Sequence, residues 1–277
     1  MVVDFFCPRW GAELIEWDTF LNEVKIAGYK GVEWFPFNEE TDVNKVTLLL
    51  KKYELQFSIV MTVLGDYEDF DSYLLLLKKQ LTALTDVGKS MGGPLFISAQ
   101  VGREYFSAEQ IDICISCCKN VSRVTGVPIY HETHRNKWTY AVHVLPPFIK
   151  NDPEVLLTLD VSHWFCVSES YLKDQQKDVG LAISRARHIH ARIGHTQGSQ
   201  VKDPSLPQFK EALEAHLNIW DQWIEERKAS GASRCTITPE FGPPPYLTIM
   251  CGDVSPQMQQ WNLNLWMKDL LHNRYNL

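Results

Sequence analysis

Short apolar runs alternate with longer amphipathic segments along the whole chain. The short runs are closed by turn or polar residues, as is typical of buried strands. The longer segments carry leucine, valine or isoleucine at helical spacing. A regular alternation of this kind predicts a parallel sheet covered by helices. Eight strands are expected, and they end near Cys7, Phe35, Val63, Gln100, Glu132, Asp160, His190 and Glu240.

Capping residues set the expected limits of several helices. Asp18 and Gly28 are expected to bound the first helix as its N-cap and C-cap. Ser107 and Gln110 have the spacing of a capping box, which predicts the start of another helix. The other helices are expected over Val43 to Tyr53, Tyr73 to Val87, Trp138 to Ile149 and Phe209 to Lys228, and a closing helix from Ser255-Pro256 through Leu271.

Eight strand–helix repeats in 277 residues predict an α/β fold, a single (β/α)8 TIM barrel that occupies residues 1–277. A doubly wound open sheet is the alternative architecture. That fold usually carries a glycine-rich phosphate-binding turn after its first strand, whereas this chain has Cys7-Pro-Arg-Trp-Gly11 there. The barrel is therefore preferred, and its loops at the carboxyl ends of the strands are expected to hold the functional site.

Composition and charge narrow the classes of function. A net charge of −7 gives no electrostatic footprint for nucleic acid. No apolar run approaches the ~20 residues that cross a bilayer. Seven cysteines, with no signal-peptide pattern at the start, predict a reduced, cytoplasmic protein. Cys114, Cys117 and Cys118 match the apolar face of a helix, so core packing is expected there rather than metal binding.

The richest candidate chemistry lies at the predicted carboxyl ends of strands five to eight. Glu132, Asp160, His190 and Glu240 would converge across the barrel mouth. Three carboxylates and one imidazole suit Mn²⁺, Mg²⁺ or Co²⁺, and the set has no thiolate to favour a structural zinc site. Such an ion can polarise a ketose carbonyl, and Glu132 and Glu240 can then remove and return a proton beside it.

Each of these residues also has a structural interpretation. A glutamate at a strand end can cap the next helix or pair with Arg135, and Glu33 can be a rim hydrogen-bonding group or a buried partner of Arg9. His163 can be a metal ligand, a residue that supports a metal ligand, or a substrate contact. His188 is expected to point away from His190 and to be structural.

The remaining polar residues near the strand ends are candidates for substrate binding, with a solvated role open for each. Aromatic side chains near the same rim are candidates for the wall of a pocket. The polar loop from Thr196 to Pro204 is expected to act as a lid. The substrate-binding candidates are His163, Arg192, His134, Arg135 and His195, and the wall candidates are Trp10, Trp34 and Trp164.

The order of the strand-end residues resembles that of the xylose isomerase-like barrels. The matching motifs are Glu132, Asp160-Val-Ser-His163, His188-Ile-His190 and Glu240. That family includes ketose 3-epimerases, hydroxypyruvate isomerases, inosose dehydratases and metal-dependent apurinic endonucleases. The resemblance implies that Glu132, Asp160, His190 and Glu240 bind one divalent ion (Mn, Mg, Co or Zn) and that both glutamates exchange protons with the substrate. It also implies a small carbohydrate as substrate and no nucleic-acid or membrane partner, and it allows a homo-oligomer.

Two departures from the family narrow this expectation. Histidine first occurs at His131, so the three-metal cluster of the nucleases, which uses histidines on earlier strands, is not expected. Arg192 follows His190 by only two residues, so the substrate contacts of the ketose 3-epimerases cannot be assumed. The sequence therefore predicts a metal-dependent sugar or sugar-derivative isomerase or epimerase. An inosose-type dehydratase, an apurinic endonuclease-like hydrolase and a non-catalytic carbohydrate-binding barrel are the alternatives.

Overall fold

The predicted strands form one closed parallel barrel in a computed structural model, which describes residues 1–37, 39–249 and 254–276. Each strand pairs with the next in the chain, and the last strand closes the barrel against the first. This confirms the predicted α/β barrel. The strands are β1 (Val2–Pro8), β2 (Gly31–Trp34), β3 (Gln56–Thr62), β4 (Ile97–Gln100), β5 (Ile129–Glu132), β6 (Leu157–Leu159), β7 (Ala186–His190) and β8 (Arg234–Thr238).

Helices cover the outside of the barrel, and several begin where their caps predicted. Ser107 and Gln110 make both reciprocal bonds of the capping box, and the Ser255 side chain accepts from Met258 N at 3.2 Å. The helices are α1 (Trp17–Ile26), α2 (Val43–Lys52), α3 (Phe70–Thr85), α4 (Ala108–Thr125), α5 (Pro146–Ile149), α6 (Val161–Ser168), α7 (Gln176–Arg185), α8 (Lys210–Ala229) and α9 (Pro256–Tyr275).

Two helix predictions were wrong. The segment expected as a helix from Trp138 to Ile149 holds only a 3-10 turn and the four residues of α5, because Pro146 and Pro147, near its end, can begin a helix but cannot continue one. Asp18 is not an N-cap, because Glu16 occupies that position and makes no side-chain cap. The Asp18 carboxylate instead binds Lys52 Nζ at 2.7 Å and ties α1 to α2.

Polar side chains occupy the barrel interior below its carboxyl-terminal rim. Ser58 Oγ donates to Glu33 Oε2 at 3.3 Å, and His188 Nδ1 lies 2.8 Å from Thr236 Oγ1. The prediction that His188 points away from His190 was wrong, because residues two apart in a strand lie on the same side. Both rings face Glu33 inside the barrel. Polar side chains inside the barrel therefore hydrogen-bond to one another and to Glu33, just below the rim.

The cysteine-rich face of α4 packs into the core as predicted. Cys114 and Cys118 are buried and Cys117 is half-buried. Among the residues that the structure describes, no cysteine belongs to a group that could hold a metal ion. Cys251 lies outside the described residues. No helix in the described ranges is both long enough and apolar enough to cross a membrane.

Candidate active site

Four strand ends bring acidic and imidazole side chains together at the carboxyl-terminal rim. Glu132 ends β5, Asp160 follows β6, His190 ends β7 and Glu240 stands two residues after β8. One ligand atom from each lies within 4.8 Å of the others, and all four residues are buried. Glu132 and Glu240 also line a cavity of about 290 Å³. The structure therefore brings together the four residues that the sequence singled out.

His190 is oriented by carboxylates on both sides of its ring. Its Nε2 lies 2.9 Å from Glu33 Oε1, while its Nδ1 faces Glu240 Oε1 at 3.3 Å and Glu132 Oε1 at 3.6 Å. Burial acts to lower the pKa of His190, but the charges of Glu240, Glu33 and Glu132 outweigh it and raise that pKa well above its usual value. The pKa of Glu33 is low because His190 and His188 outweigh the opposing effect of burial.

Asp160 has structural partners as well as a place among the candidate ligands. It is the N-cap of α6, where its Oδ1 accepts from Ser162 N at 2.9 Å. Its Oδ2 lies 2.5 Å from Arg192 Nη2. Burial raises the pKa of Asp160, with Arg192 opposing and Glu240 adding to the rise. Capping and ion pairing therefore compete with ligation at this residue more than at the other three.

Glu132 is held by β4 rather than by Arg135. Gln100 Nε2 lies 3.2 Å and 3.1 Å from the two oxygens of Glu132. Burial raises the pKa of Glu132, partly offset by His190. Arg135 donates instead to Ser199 Oγ at 2.5 Å and to Tyr246 Oη at 3.0 Å. The structural alternative in which Glu132 pairs with Arg135 is therefore not observed.

Glu240 is positioned by the closing helix α9, which holds the residues that follow it. Asn264 Oδ1 accepts from Phe241 N at 2.7 Å, and Gln260 Nε2 donates to Phe241 O at 2.9 Å. Gly242 allows the Trp10 ring to pack closely, since a Cβ at this position would lie 2.2 Å from the ring. The backbone after β8 is therefore fixed on both sides, which sets the direction of the Glu240 side chain.

The four-residue cluster fits one divalent cation. The four ligand atoms lie within 4.8 Å of one another, close to the distance of about 4.2 Å that separates opposite ligands bound about 2.1 Å from an ion. Neither ring nitrogen of His190 has a hydrogen bond of good geometry, although Glu33 is close, so Nδ1 can serve a cation on release of its proton. Arg192 is already bound to Asp160, so an ion must share that carboxylate with it.

Two overlapping groups also satisfy the spacing for a metal ion. One is Glu33, His188 and His190, and the other is Glu132, His134 and His163. Each has three donors and a single carboxylate, whereas the four-residue cluster has three carboxylates. Hard divalent cations prefer oxygen donors, so the four-residue cluster is the better candidate.

His163 carries its ring proton on a nitrogen that has no hydrogen-bond partner among the described residues. Arg192 Nη2 lies 2.9 Å from His163 Nε2, and because a guanidinium only donates, Nε2 must be the acceptor. The proton of the neutral ring is therefore on Nδ1, which has no hydrogen-bond partner among the described residues. Burial, with His134 and Arg192 adding to it, keeps the pKa of His163 low and the ring neutral. His163 lines the cavity, as a substrate-binding residue should.

The other predicted substrate-binding residues differ in whether they line the cavity. His134 lines the cavity, 4.0 Å from the His163 ring, and burial lowers its pKa to about 3. Arg192 also lines it and is hydrogen-bonded to Asp160, Ser162 and His163 through its Nε and Nη2. Arg135 and His195 are not among the lining residues.

The loop expected as a lid is anchored on both of its sides. His195, just before it, bridges to Gly198 and stacks on Phe209. Gln200 exchanges two hydrogen bonds with the Gly242 backbone, and Val201 N donates to Ile193 O at 2.8 Å. These bonds hold the loop in place at the rim. Its closure over a ligand stays a prediction.

Two of the three aromatic residues predicted for the cavity wall line it, whereas Glu39, which also lines it, and Lys137, which lies nearby, were not predicted. Trp10 and Trp34 line the cavity, but Trp164 is buried and donates to Thr139 O at 2.8 Å. Glu39 makes two bonds to Arg9, at 3.2 Å and 3.0 Å, where Glu33 had been considered the partner. No local pattern marks Glu39, because the pair joins two loops after different strands.

Lys137 is the second residue that was missed. It lies in the loop after β5, is buried, and donates to Thr62 Oγ1 at 2.8 Å. Its position five residues after Glu132 was a usable signal, since the same loop supplied His134 and Arg135 as candidates. Burial and the nearby Arg103 lower the pKa of Lys137 to about 8.

Solved structures with the same fold were found over nearly the whole chain. A xylose isomerase-like TIM barrel protein from Mycobacterium smegmatis in complex with magnesium is 12% identical, with a TM-score of 0.58 over 98% of this chain and 97% of that one. The probable 3-DHS dehydratase AsbF from Bacillus anthracis is 16% identical, with a TM-score of 0.61 over 98% and 99%.

A third similar structure is D-psicose 3-epimerase with D-tagatose from Clostridium cellulolyticum H10. It is 13% identical, with a TM-score of 0.58 over 99% of each chain. No protein-family model and no curated protein sequence matches the chain. At such low identity the likeness establishes the fold. The chain therefore has the fold of the xylose isomerase-like TIM barrels, as the order of its strand-end residues predicted.

Proposed function

We propose that the protein is a divalent-metal-dependent isomerase or epimerase of a sugar or sugar derivative, acting by proton transfer beside a carbonyl. One observation carries this proposal: Glu132, at the end of β5, and Glu240, after β8, line the same cavity, and His190 Nδ1 at the end of β7 lies close to both. Two carboxylates around one bound carbon can take a proton from one face and return it to another position or face. The epimerase with the same fold supports this reaction class.

The ion would be held by Glu132, Asp160, His190 and Glu240. When bound, it polarises a substrate carbonyl and makes the adjacent C–H more acidic. The neighbour with magnesium supports a divalent ion, and the donor set is compatible with Mn²⁺, Mg²⁺, Co²⁺ or Zn²⁺. Asp160, fixed by the start of α6, would be the most rigid of the four ligands.

The residues of the chain supply the proton transfer and the orientation of the substrate. Burial raises the pKa of Glu132, which makes its carboxylate a stronger proton acceptor. His163 Nδ1–H can donate to a substrate hydroxyl. Trp10 and Tyr246, whose rings meet edge to face at 5.4 Å, offer aromatic surface to the apolar face of a sugar ring.

A dehydratase is the second candidate function, and the similar structure of the probable dehydratase favours it. The same carboxylates would remove a proton beside a carbonyl, but a hydroxide would then leave from the next carbon as water. Product analysis separates the two functions, because an isomerase reaches a mixture that can be approached from either side, whereas the loss of water runs to one product.

The nuclease and the non-catalytic alternatives have less support. None of β1 to β4 supplies a histidine to the candidate metal groups among the described residues. A nuclease should be retained on heparin at moderate salt because it neutralises phosphates with basic side chains. A non-catalytic barrel should bind a carbohydrate without any exchange of protons with the solvent.

The test begins with a screen of ketoses and keto-inositols in D₂O with protein of measured metal content. Turnover should place deuterium on the carbon beside the carbonyl. The Glu132→Gln variant, compared at equal metal occupancy, should lose exchange by about 10²- to 10⁴-fold, as expected for a positioned acid–base group. Glu225→Gln, on the exposed face of α8, is the matched control and should keep full exchange. Turnover of a confirmed substrate without entry of deuterium would replace proton transfer with a hydride shift.

Metal content tests the site independently of turnover. Protein purified without a chelating tag should hold about one equivalent of a divalent ion by elemental analysis, and Glu240→Gln should lower that content because an amide binds hard cations more weakly. Three equivalents in the native protein would contradict a single-ion site and favour the nuclease.

A further inference from the structure

Lys137 is a buried cation on a rigid loop beside the cavity. Its backbone N donates to His134 O at 3.0 Å, and Tyr140 N donates to Lys137 O at 3.0 Å, so a tight turn fixes its position. Thr139 Oγ1 donates to Glu132 O at 2.5 Å, which ties this turn to the end of β5. The direction of the Lys137 side chain is therefore set by the fold before any ligand arrives.

The Lys137 ammonium makes fewer hydrogen bonds than it has donors. Among the described residues, its Nζ makes one hydrogen bond, to Thr62 Oγ1 at 2.8 Å, whereas an ammonium has three donors. No carboxylate among the described residues lies within 4.0 Å of its Nζ, although Glu132 is close enough to raise its pKa against the larger effects of burial and Arg103. A buried cation without an ion pair is costly to the folded protein.

The bond to Thr62 places the Lys137 ammonium beside a residue of the cavity wall, although Lys137 is not itself among the lining residues. Thr62 is the last residue of β3 and lines the cavity, next to apolar wall residues Val60, Met61 and Leu64. Gln100, the last residue of β4, lines the same side and is occupied by Glu132. Among the described residues, Lys137 is therefore a cation without a close carboxylate on the β3–β5 side, while Arg192, on the β7 side, is already paired with Asp160.

We propose that Lys137 and Thr62 form a subsite for an anionic group of the substrate, a carboxylate or a phosphate. The substrate would then be an acidic sugar derivative or a sugar phosphate, bound with its anion on the β3–β5 side and its carbonyl near Glu132 and Glu240. This inference rests on the proposed function for the carbonyl end. The anion subsite itself can be tested by binding alone, without turnover.

The experiment measures the binding of three simple probes by calorimetry: inorganic phosphate, D-glycerate and neutral glycerol. Wild type should bind one of the two anions and should not bind glycerol measurably, and the preferred anion distinguishes a phosphate from a carboxylate substrate. Lys137→Met should weaken that binding at least tenfold, and Lys137→Arg should keep part of it. Lys150→Met removes an exposed lysine and should leave the binding unchanged.

Two outcomes would overturn the inference. Equal anion affinity in wild type and Lys137→Met would show that Lys137 is not the anion contact. Trapping of a ketose on Lys137 by cyanoborohydride, located by mass spectrometry, would show that this amine reacts with carbonyls instead. Because Lys137→Met removes a buried charge and retains a side chain of similar length, it should fold, and its circular dichroism spectrum verifies that. Glu132→Gln should lose proton exchange and still bind the anion. Proton transfer and anion binding are thus tested separately, so one proposal can fail without the other.

Discussion

Glu33 Oε1 lies 2.9 Å from His190 Nε2, so a carboxylate on β2 lies behind a β7 imidazole whose other nitrogen, Nδ1, faces Glu132 and Glu240. When Nδ1 releases its proton, the remaining proton is on Nε2 beside Glu33, and the lone pair of Nδ1 lies close to Glu132 and Glu240. A carboxylate behind a ligating histidine fixes its tautomer and makes it a stronger ligand. Glu33 is buried and also accepts from Ser58, so its own orientation is fixed.

Glu33→Gln should therefore weaken divalent binding by about 10- to 100-fold. Titration of metal-free protein with Mn²⁺, followed by calorimetry, measures this without any substrate. Glu225→Gln is the surface control and should bind as wild type does. Equal affinity in Glu33→Gln would mean that His190 does not bind the ion through Nδ1.

Arg192 should compete with a metal ion for Asp160. Its guanidinium lies 2.5 Å from Asp160 Oδ2 and 3.9 Å from Glu240 Oε2, so it places a positive charge beside the candidate ligands. At an effective dielectric constant of about 20, two unit charges about 5 Å apart interact by about 3 kcal/mol. Removing this charge should strengthen metal binding.

Arg192→Met is expected to bind Mn²⁺ about ten- to a hundredfold more tightly while losing stability in the metal-free form, because Asp160 is then buried without its partner. Chemical unfolding with and without Mn²⁺ measures both effects. Unchanged or weaker metal binding would indicate that the cluster is a buried ion-pair network rather than a metal site.

Acid should destabilise the fold through buried neutral histidines. Burial lowers the pKa of His131 to about 4, and Trp138 Nε1 donates to its Nδ1. In the unfolded chain this histidine takes up a proton near pH 6.5. Its full contribution to the free energy of unfolding is therefore present above pH 6.5 and is lost as the pH falls to 4. One such group contributes about 3 kcal/mol over this range.

His131→Gln should flatten the decline of unfolding free energy between pH 6.5 and 4, since glutamine does not titrate and its oxygen can still accept from Trp138. Urea unfolding at several pH values measures the slope. The exposed His143→Gln should leave the slope as in wild type. A slope that is equally steep in His131→Gln would assign acid unfolding to other groups.

Lys137 should carry a cost in stability near neutral pH. Its pKa is lowered from 10.5 to about 8, so the folded protein disfavours its charge, and the cost is present below pH 8 and disappears as the pH rises to 10.5. Lys137→Met should be more stable than wild type at pH 7, by up to about 3 kcal/mol. This advantage should shrink between pH 8 and 10.5 in urea unfolding. A constant difference across that range would mean that the lysine is paired.

The amino-acid sequence by itself determined the barrel and the four central residues. Glu132, Asp160, His190 and Glu240 each stand at the end of an apolar run, and a parallel barrel places the carboxyl ends of its strands on one rim. Their convergence therefore follows from strand order alone. Helix caps such as Ser107 with Gln110 could also be predicted from the sequence, because both partners lie within one helical turn.

Only the tertiary structure decided which partners those residues have. Glu33 meets His190, Arg192 takes Asp160, and Lys137 reaches Thr62 without a carboxylate. The register of β2 against the rest of the barrel and the shape of the β5 loop set these contacts, and they join residues that are distant in the chain. Sequence periodicity reports which side of an element a residue occupies, whereas the charge that it meets across the barrel depends on how all eight strands close.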